Sequence, residues 1–174
     1  MTEDTSVESK VKSPEPTPFL KVTAWRASIM KPEHVAEFMP LILETVLASL
    51  PPSERVDPVM KANITGAIVD GRLQVWGILG KMADTGQWRP VGYGTTGLIP
   101  DELTQKKTCL IYTLFSYAEM DDSVYVDFWK VITDYARDQG CAKVALYSNN
   151  ARILSMAESV GMSTEFRFVF KNLE

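Results

Sequence analysis

Gly92-Tyr93-Gly94-Thr95-Thr96-Gly97 is a literal G-x-G-x-x-G, the spacing with which bare backbone approaches a diphosphate. Such a fingerprint must close a strand and open a helix, so that the phosphate meets the helix N-terminus. Here Leu98-Ile99-Pro100 follows, which reads as strand and then loop. The glycines are therefore expected inside a bulged or closely approached strand, and no dinucleotide is expected. The single histidine, His34, lies on an amphipathic stretch with no second nitrogen or sulfur ligand near it in sequence. Neither a metal centre nor a histidine-dependent triad is expected. Cys109 and Cys141 sit in the apolar contexts TCLIY and GCAKV and read as buried thiols rather than a disulfide scaffold. Asn63-Ile64-Thr65 matches a glycosylation sequon, which is read as chance because no secretory segment precedes it.

The elements that would position any site can be read from periodicity. A strand is expected over Leu20–Ile29, then a helix over Pro32–Leu50 with Val35, Met39, Ile42 and Val46 on one stripe. Pro40 is expected to kink that helix or start a second one. Asp57-Pro58 pairs a cap with a first-position proline, and Met60, Ile64 and Ile68 follow it. Asp70-Gly71 turns into a strand over Leu73–Leu79, and Asp84-Thr85-Gly86 makes a hairpin into Pro90–Leu98. After the polar loop DELTQKK comes the most apolar strand, Thr108–Tyr117. Phe128, Val131, Ile132, Tyr135 and Ala136 then form one helical stripe that Gly140 ends. A short strand over Lys143–Tyr147, a helix over Ala151–Val160 and a last alternating strand over Thr164–Lys171 complete the domain. The order β-α-α-β-β-β-α-β-α-β implies a mixed, mostly antiparallel twisted α/β (α+β) sheet of about six strands flanked by about four helices.

The C-terminal half, LFSYAEMDDSVYVDFWKVITDYARDQG followed by CAKVALYSNNARILSMAESVGM, resembles the GNAT superfamily of N-acetyltransferases. The family resemblance is to a strand, a Q/R-x-x-G-x-G/A turn, a long helix, a strand, and then N-x-x-A-x-x-L-Y-x-x-x-G-F. Asn150 and Gly161 stand at the family's spacing without a gap, and Arg-Asp-Gln-Gly ends the long helix where the family ends it. With the element order, the resemblance covers roughly residues 20–173 and implies a single GNAT-like domain over residues 19–174. Residues 1–18, polar and broken by Pro14, Pro16 and Pro18, are expected as a flexible tail.

The departures from the family bear on function. In relatives two glycines of the turn wrap the diphosphate of acetyl-CoA with backbone N–H groups; here those positions are Ser123 and Tyr125, and the Q/R position is Met120. A tyrosine side chain there is a steric obstacle. Glu119, Asp121 and Asp122 add negative charge beside the helix start, where Asp121, Asp122 or Ser123 is expected to cap the helix. The family's tyrosine, a proton donor to the departing thiolate, is replaced by Ala157, with Tyr147 or Tyr117 as the available substitutes. The resemblance makes Glu119, near the strand end, a candidate general base, though an exposed acid is the plainer reading. If acetyl-CoA is bound, the resemblance places Leu114, Phe115, Ser123, Val124, Tyr125 and Asn150 against it. The strand backbone at Leu114 and Phe115 acts through main chain alone and could equally accept an acyl chain or a peptide strand.

A formal charge of −4 and a pI of about 5.1 disfavour nucleic-acid binding. No apolar run suits a membrane span, so the cytoplasm, of a cell or of a viral host, is the expected location. The expectation is a GNAT-fold protein without catalysis or cofactor that binds a protein partner. Eroded GNAT-like chains resemble bacteriophage accessory proteins, which implies a viral accessory or virion role. The alternative is a divergent acetyl-CoA-dependent N-acetyltransferase, and a third possibility is a sensor of a small ligand.

Overall fold

The computed structural model describes residues 20–50, 56–119, 122–148 and 150–165. The expected tail, and the last expected strand beyond residue 165, lie outside those residues. Strand β1 (Leu20–Ile29) leads to helix α1 (Pro32–Ala48) and helix α2 (Pro58–Val69). Strands β2 (Leu73–Met82), β3 (Trp88–Asp101) and β4 (Lys106–Ser116) form a meander. A two-residue strand β5 (Ala118–Glu119), helix α3 (Asp122–Asp138), strand β6 (Cys141–Leu146) and helix α4 (Ala151–Ser159) follow. The sheet order is β5-β1-β2-β3-β4-β6, antiparallel through the middle and parallel at both ends. A mixed α/β sheet with four helices among the described residues is thus observed, as the element order implies.

Local chemistry accounts for the boundaries. The Asp57 carboxylate accepts from the Met60 N–H at 2.7 Å, and Pro58 occupies the first turn, where its missing N–H costs nothing. Gly71, Gly86 and Gly140 take positive φ at the turns that end α2, join β2 to β3 and end α3. Helix α1 runs through Pro40, so that proline starts no second helix. Ring closure removes one backbone donor at Pro40, yet the stripe carrying Ile42 and Val46 is buried on the sheet and holds the helix together.

The sheet separates two apolar layers. On one face Trp76, Ile78, Val91, Cys109 and Ile111 pack against Phe128, Trp129, Ile132 and Ala136 of α3. On the other, Val75 and Tyr93 pack against Ile42 and Val46 of α1 and Ile68 of α2. The G-x-G-x-x-G glycines serve this packing within β3 and open no helix. A Cβ on Gly92 would collide with the Phe115 carbonyl and the Ser116 backbone, and one on Gly94 would stand 3.1 Å from the Phe128 ring. The Trp76 indole N–H donates to Thr96 Oγ1 at 2.9 Å, which satisfies the polar atom of a buried ring.

Candidate functional site

Two elements, α3 and α4, begin side by side. The Asn150 side chain accepts from the Arg152 and Ile153 N–H groups and so caps α4. That places Arg152 in the first turn of α4, where its guanidinium meets the Asp122 carboxylate at 2.6 Å through Nη2 and 3.3 Å through Nε. The same guanidinium lies 5.5 Å from the centre of the Tyr125 ring. Val124 and Tyr125 are half-buried against the α3-side core, while Asp122 and Ser123 are exposed. The start of α3 therefore carries an aromatic ring, a carboxylate and a guanidinium that compensates it. Met120 and Asp121, and with them part of the expected helix cap, lie outside the described residues.

The second feature is an opening in the sheet. β4 pairs with β6 only from Lys107↔Cys141 to Ile111↔Leu146. On β3, Thr95 faces Thr113 while Thr96 faces Ile111, so Tyr112 is the extra residue of a β-bulge. Beyond it, residues Thr113–Ser116 pair with β3 alone among the described strands. The cleft left between the strands has a volume of about 370 Å³. Leu114, Trp129, Leu146 and Ile153 give it apolar walls, with Tyr112 and Tyr147 among its polar ones. Burial first, and the neighbouring Tyr147 second, raise the Tyr112 hydroxyl above its ordinary value. Tyr147 itself is 63 % exposed.

On the α1 face of the same strand the rings form a chain. Phe115 meets Tyr117 edge-on at 4.8 Å, Tyr117 meets Tyr93 at 5.9 Å, and Tyr93 meets Phe38 of α1 at 6.1 Å. The Tyr117 hydroxyl is buried and has no hydrogen-bond partner among the described residues. Burial chiefly raises its titration, helped by Tyr93 and by Glu44 of α1.

The residues singled out from sequence fall into two groups. Leu114 and Tyr147 line the cleft and Phe115 follows Leu114 along β4, whereas Ser123, Val124, Tyr125 and Asn150 gather at the adjoining helix starts. Phe115 turns its side chain to the α1 face, away from the cleft. The backbone of Glu119 is held in β5 opposite Lys21. Ala157 is buried in α4. Tyr112, Arg152 and the α1 glutamates escape a sequence reading. Arg152 two residues after a capping asparagine is the only local signal among them. No group of three His, Cys, Asp or Glu residues among the described ones could hold a metal, and no described helix is long and apolar enough to cross a membrane.

No family model matches the sequence, and no curated protein matches it. Among solved structures, AAC(6')-Iy in complex with the bisubstrate analog CoA-S-monomethyl-acetylneamine is similar with a TM-score of 0.61 at 12% identity, over 87% of this chain and 99% of that one. An aminoglycoside acetyltransferase, meta-AAC0020 from an uncultured soil metagenomic sample, gives 0.60 at 14% identity, over 86% and 95%. Glucosamine-6-phosphate N-acetyltransferase from Arabidopsis thaliana gives 0.57 at 13%, over 87% and 99%. At such identities the likeness is one of architecture, and the chain has the fold of the GNAT-type N-acetyltransferases.

Proposed function

We propose that this chain is a GNAT-fold binding protein that recognises a protein partner and does not transfer acyl groups. The observation that carries this reading is the Arg152–Asp122 pair over Tyr125 at the start of α3. A helix N-terminus attracts anions through its free N–H groups. Here a diphosphate would have to draw Arg152 away from Asp122, leave that carboxylate beside its own charge, and pass the Tyr125 ring. The pair is exposed and worth only about 0–1 kcal/mol, so the obstacle is the uncovered carboxylate and the ring rather than the bond itself. The diphosphate end of acetyl-CoA thus does not fit, although the open edge of β4 would suit its pantetheine arm. No acyl-transfer step is derived for that reason, and Ala157 offers no proton to a leaving thiolate.

Calorimetry with acetyl-CoA and with coenzyme A is expected to give no saturable heat, and co-purification with native partners a defined complex. Thermal stabilisation approaching about 2.7 kcal/mol with ligand at a hundredfold its dissociation constant would overturn the reading. A virion or viral accessory setting belongs to the same proposal. Peptides of this chain found by mass spectrometry in purified particles would support it.

A second reading, a divergent acetyl-CoA-dependent N-acetyltransferase, is favoured by the cleft with its bulge at Tyr112. Under it Arg152 leaves Asp122 for a phosphate, so Asp122→Asn would tighten acetyl-CoA binding and Tyr147→Phe would slow acetyl transfer. Under the first reading neither substitution produces any binding or turnover to measure.

A further inference from the structure

Among the described residues the stretch Tyr112–Ser116 is a sheet edge, and edges of this kind are templates for an added strand. Alternate side chains of an added strand point to opposite faces, so the two flanks of the edge specify what it would accept. On the α3 flank the walls are apolar: Leu114, Trp129, Leu146 and Ile153. On the α1 flank they are acidic and aromatic. Helix α1 carries Glu33, Glu37 and Glu44 and no lysine or arginine. Glu37, Leu41, Glu44 and Ala48 follow one helical stripe, and Ala48 itself lines the cleft. Glu37 acts on Tyr93 and Glu44 on Tyr117, each second to or behind burial in raising the phenol. The rings Phe38, Tyr93, Tyr117 and Phe115 form one chain on this flank, and the Tyr117 hydroxyl is buried with no hydrogen-bond partner among the described residues.

We propose that the open edge of β4 receives an extended peptide segment of the partner that alternates basic and apolar side chains, its lysine or arginine held between Glu37, Glu44 and the accessible Phe115 and Tyr117 rings. This rests on the binding reading above and gives that partner a chemistry. Main-chain hydrogen bonds to Tyr112–Ser116 supply the added strand, carboxylates and ring faces select the cation, and the apolar walls take the alternate side chains.

The test uses the full chain and short labelled peptides that alternate lysine with valine, or glutamate with valine, followed by fluorescence polarisation and amide hydrogen exchange. The lysine peptide is expected to bind at least about tenfold more tightly than the glutamate peptide and to slow exchange over residues 112–116. Glu37→Gln with Glu44→Gln should erase that preference while leaving the melting temperature unchanged, both side chains being exposed. Equal binding of the two peptides, or protection that avoids residues 112–116, overturns the proposal. So does the absence of binding by either. If acetyl-CoA is then also inert, the non-catalytic reading survives that failure; if acetyl-CoA protects residues 112–116, the reading falls as well.

Discussion

Asp122 and Arg152 are thirty positions apart and meet because α3 and α4 start on the same side of the sheet. Their side chains are 66% and 58% exposed, so a double-mutant cycle with Asp122→Asn and Arg152→Gln should return a coupling of only about 0.2–1 kcal/mol that fades with salt. A larger value would mean that the pair organises the helix starts. Tyr117 differs in kind. Its hydroxyl is buried without a partner among the described residues, so Tyr117→Phe should leave folding stability unchanged or raised by up to about 1 kcal/mol in urea denaturation. A loss beyond that would reveal a partner for the oxygen. Cys109 gives a pH signature. Burial, and Cys141 after it, push its thiol up to about 11 from an ordinary 9.0. The native state then keeps a proton that the unfolded chain releases, so this contribution is complete below pH 9.0 and disappears as pH climbs toward about 11. Urea midpoints measured across that window should fall less steeply in Cys109→Ala than in the parent chain. At this scale the sequence showed the ring at position 125 and the acids beside it, because both follow from a motif read in order. It hid Arg152 and Tyr112, whose roles depend on a helix start and a bulge that bring distant residues together.

Elements were more legible than the site, and the reason is periodicity. The stripe of α3, the caps at Asp57 and Asn150, and the Gly86 hairpin are local signals, and each element formed close to where those signals stand. The two-residue strand β5 carries no pattern of its own and exists only because Leu20 and Lys21 of β1 lie beside it. The splay of β4 from β6 is likewise set by packing and leaves no mark in the residue order. Glycines offer a test at this scale. A side chain on Gly92 would drive into the backbone of β4, where nothing flexible can yield, so Gly92→Ala should cost more than about 2 kcal/mol or prevent folding. Gly66, in α2, has nothing within 4 Å of the same point. Gly66→Ala should stabilise the chain by about 0.5–1 kcal/mol through helix preference and a less free unfolded state. If both substitutions behaved alike, the close approach of β3 to β4 would not be what Gly92 is for.

The whole molecule is one sheet serving two apolar layers. Val75 and Trp76 are neighbours on β2, yet the first belongs to the α1–α2 side and the second to the α3 side. Val91 and Tyr93 divide in the same way on β3. Neither layer can lose its order without stripping one face from strands on which the other depends, so the two should unfold together. Ile42 and Ile132 are each fully buried, one in either layer. Ile42→Ala and Ile132→Ala should each cost about 2–5 kcal/mol. In both variants the unfolding curve followed by tryptophan fluorescence, which is dominated on the α3 side by Trp76 and Trp129, should superimpose on the curve from far-ultraviolet circular dichroism. A separate early transition in Ile42→Ala that leaves the fluorescence untouched would mean that the α1–α2 layer comes away by itself. The rings and glutamates that flank the open edge of β4 would then sit on a layer that opens independently of the strand they border.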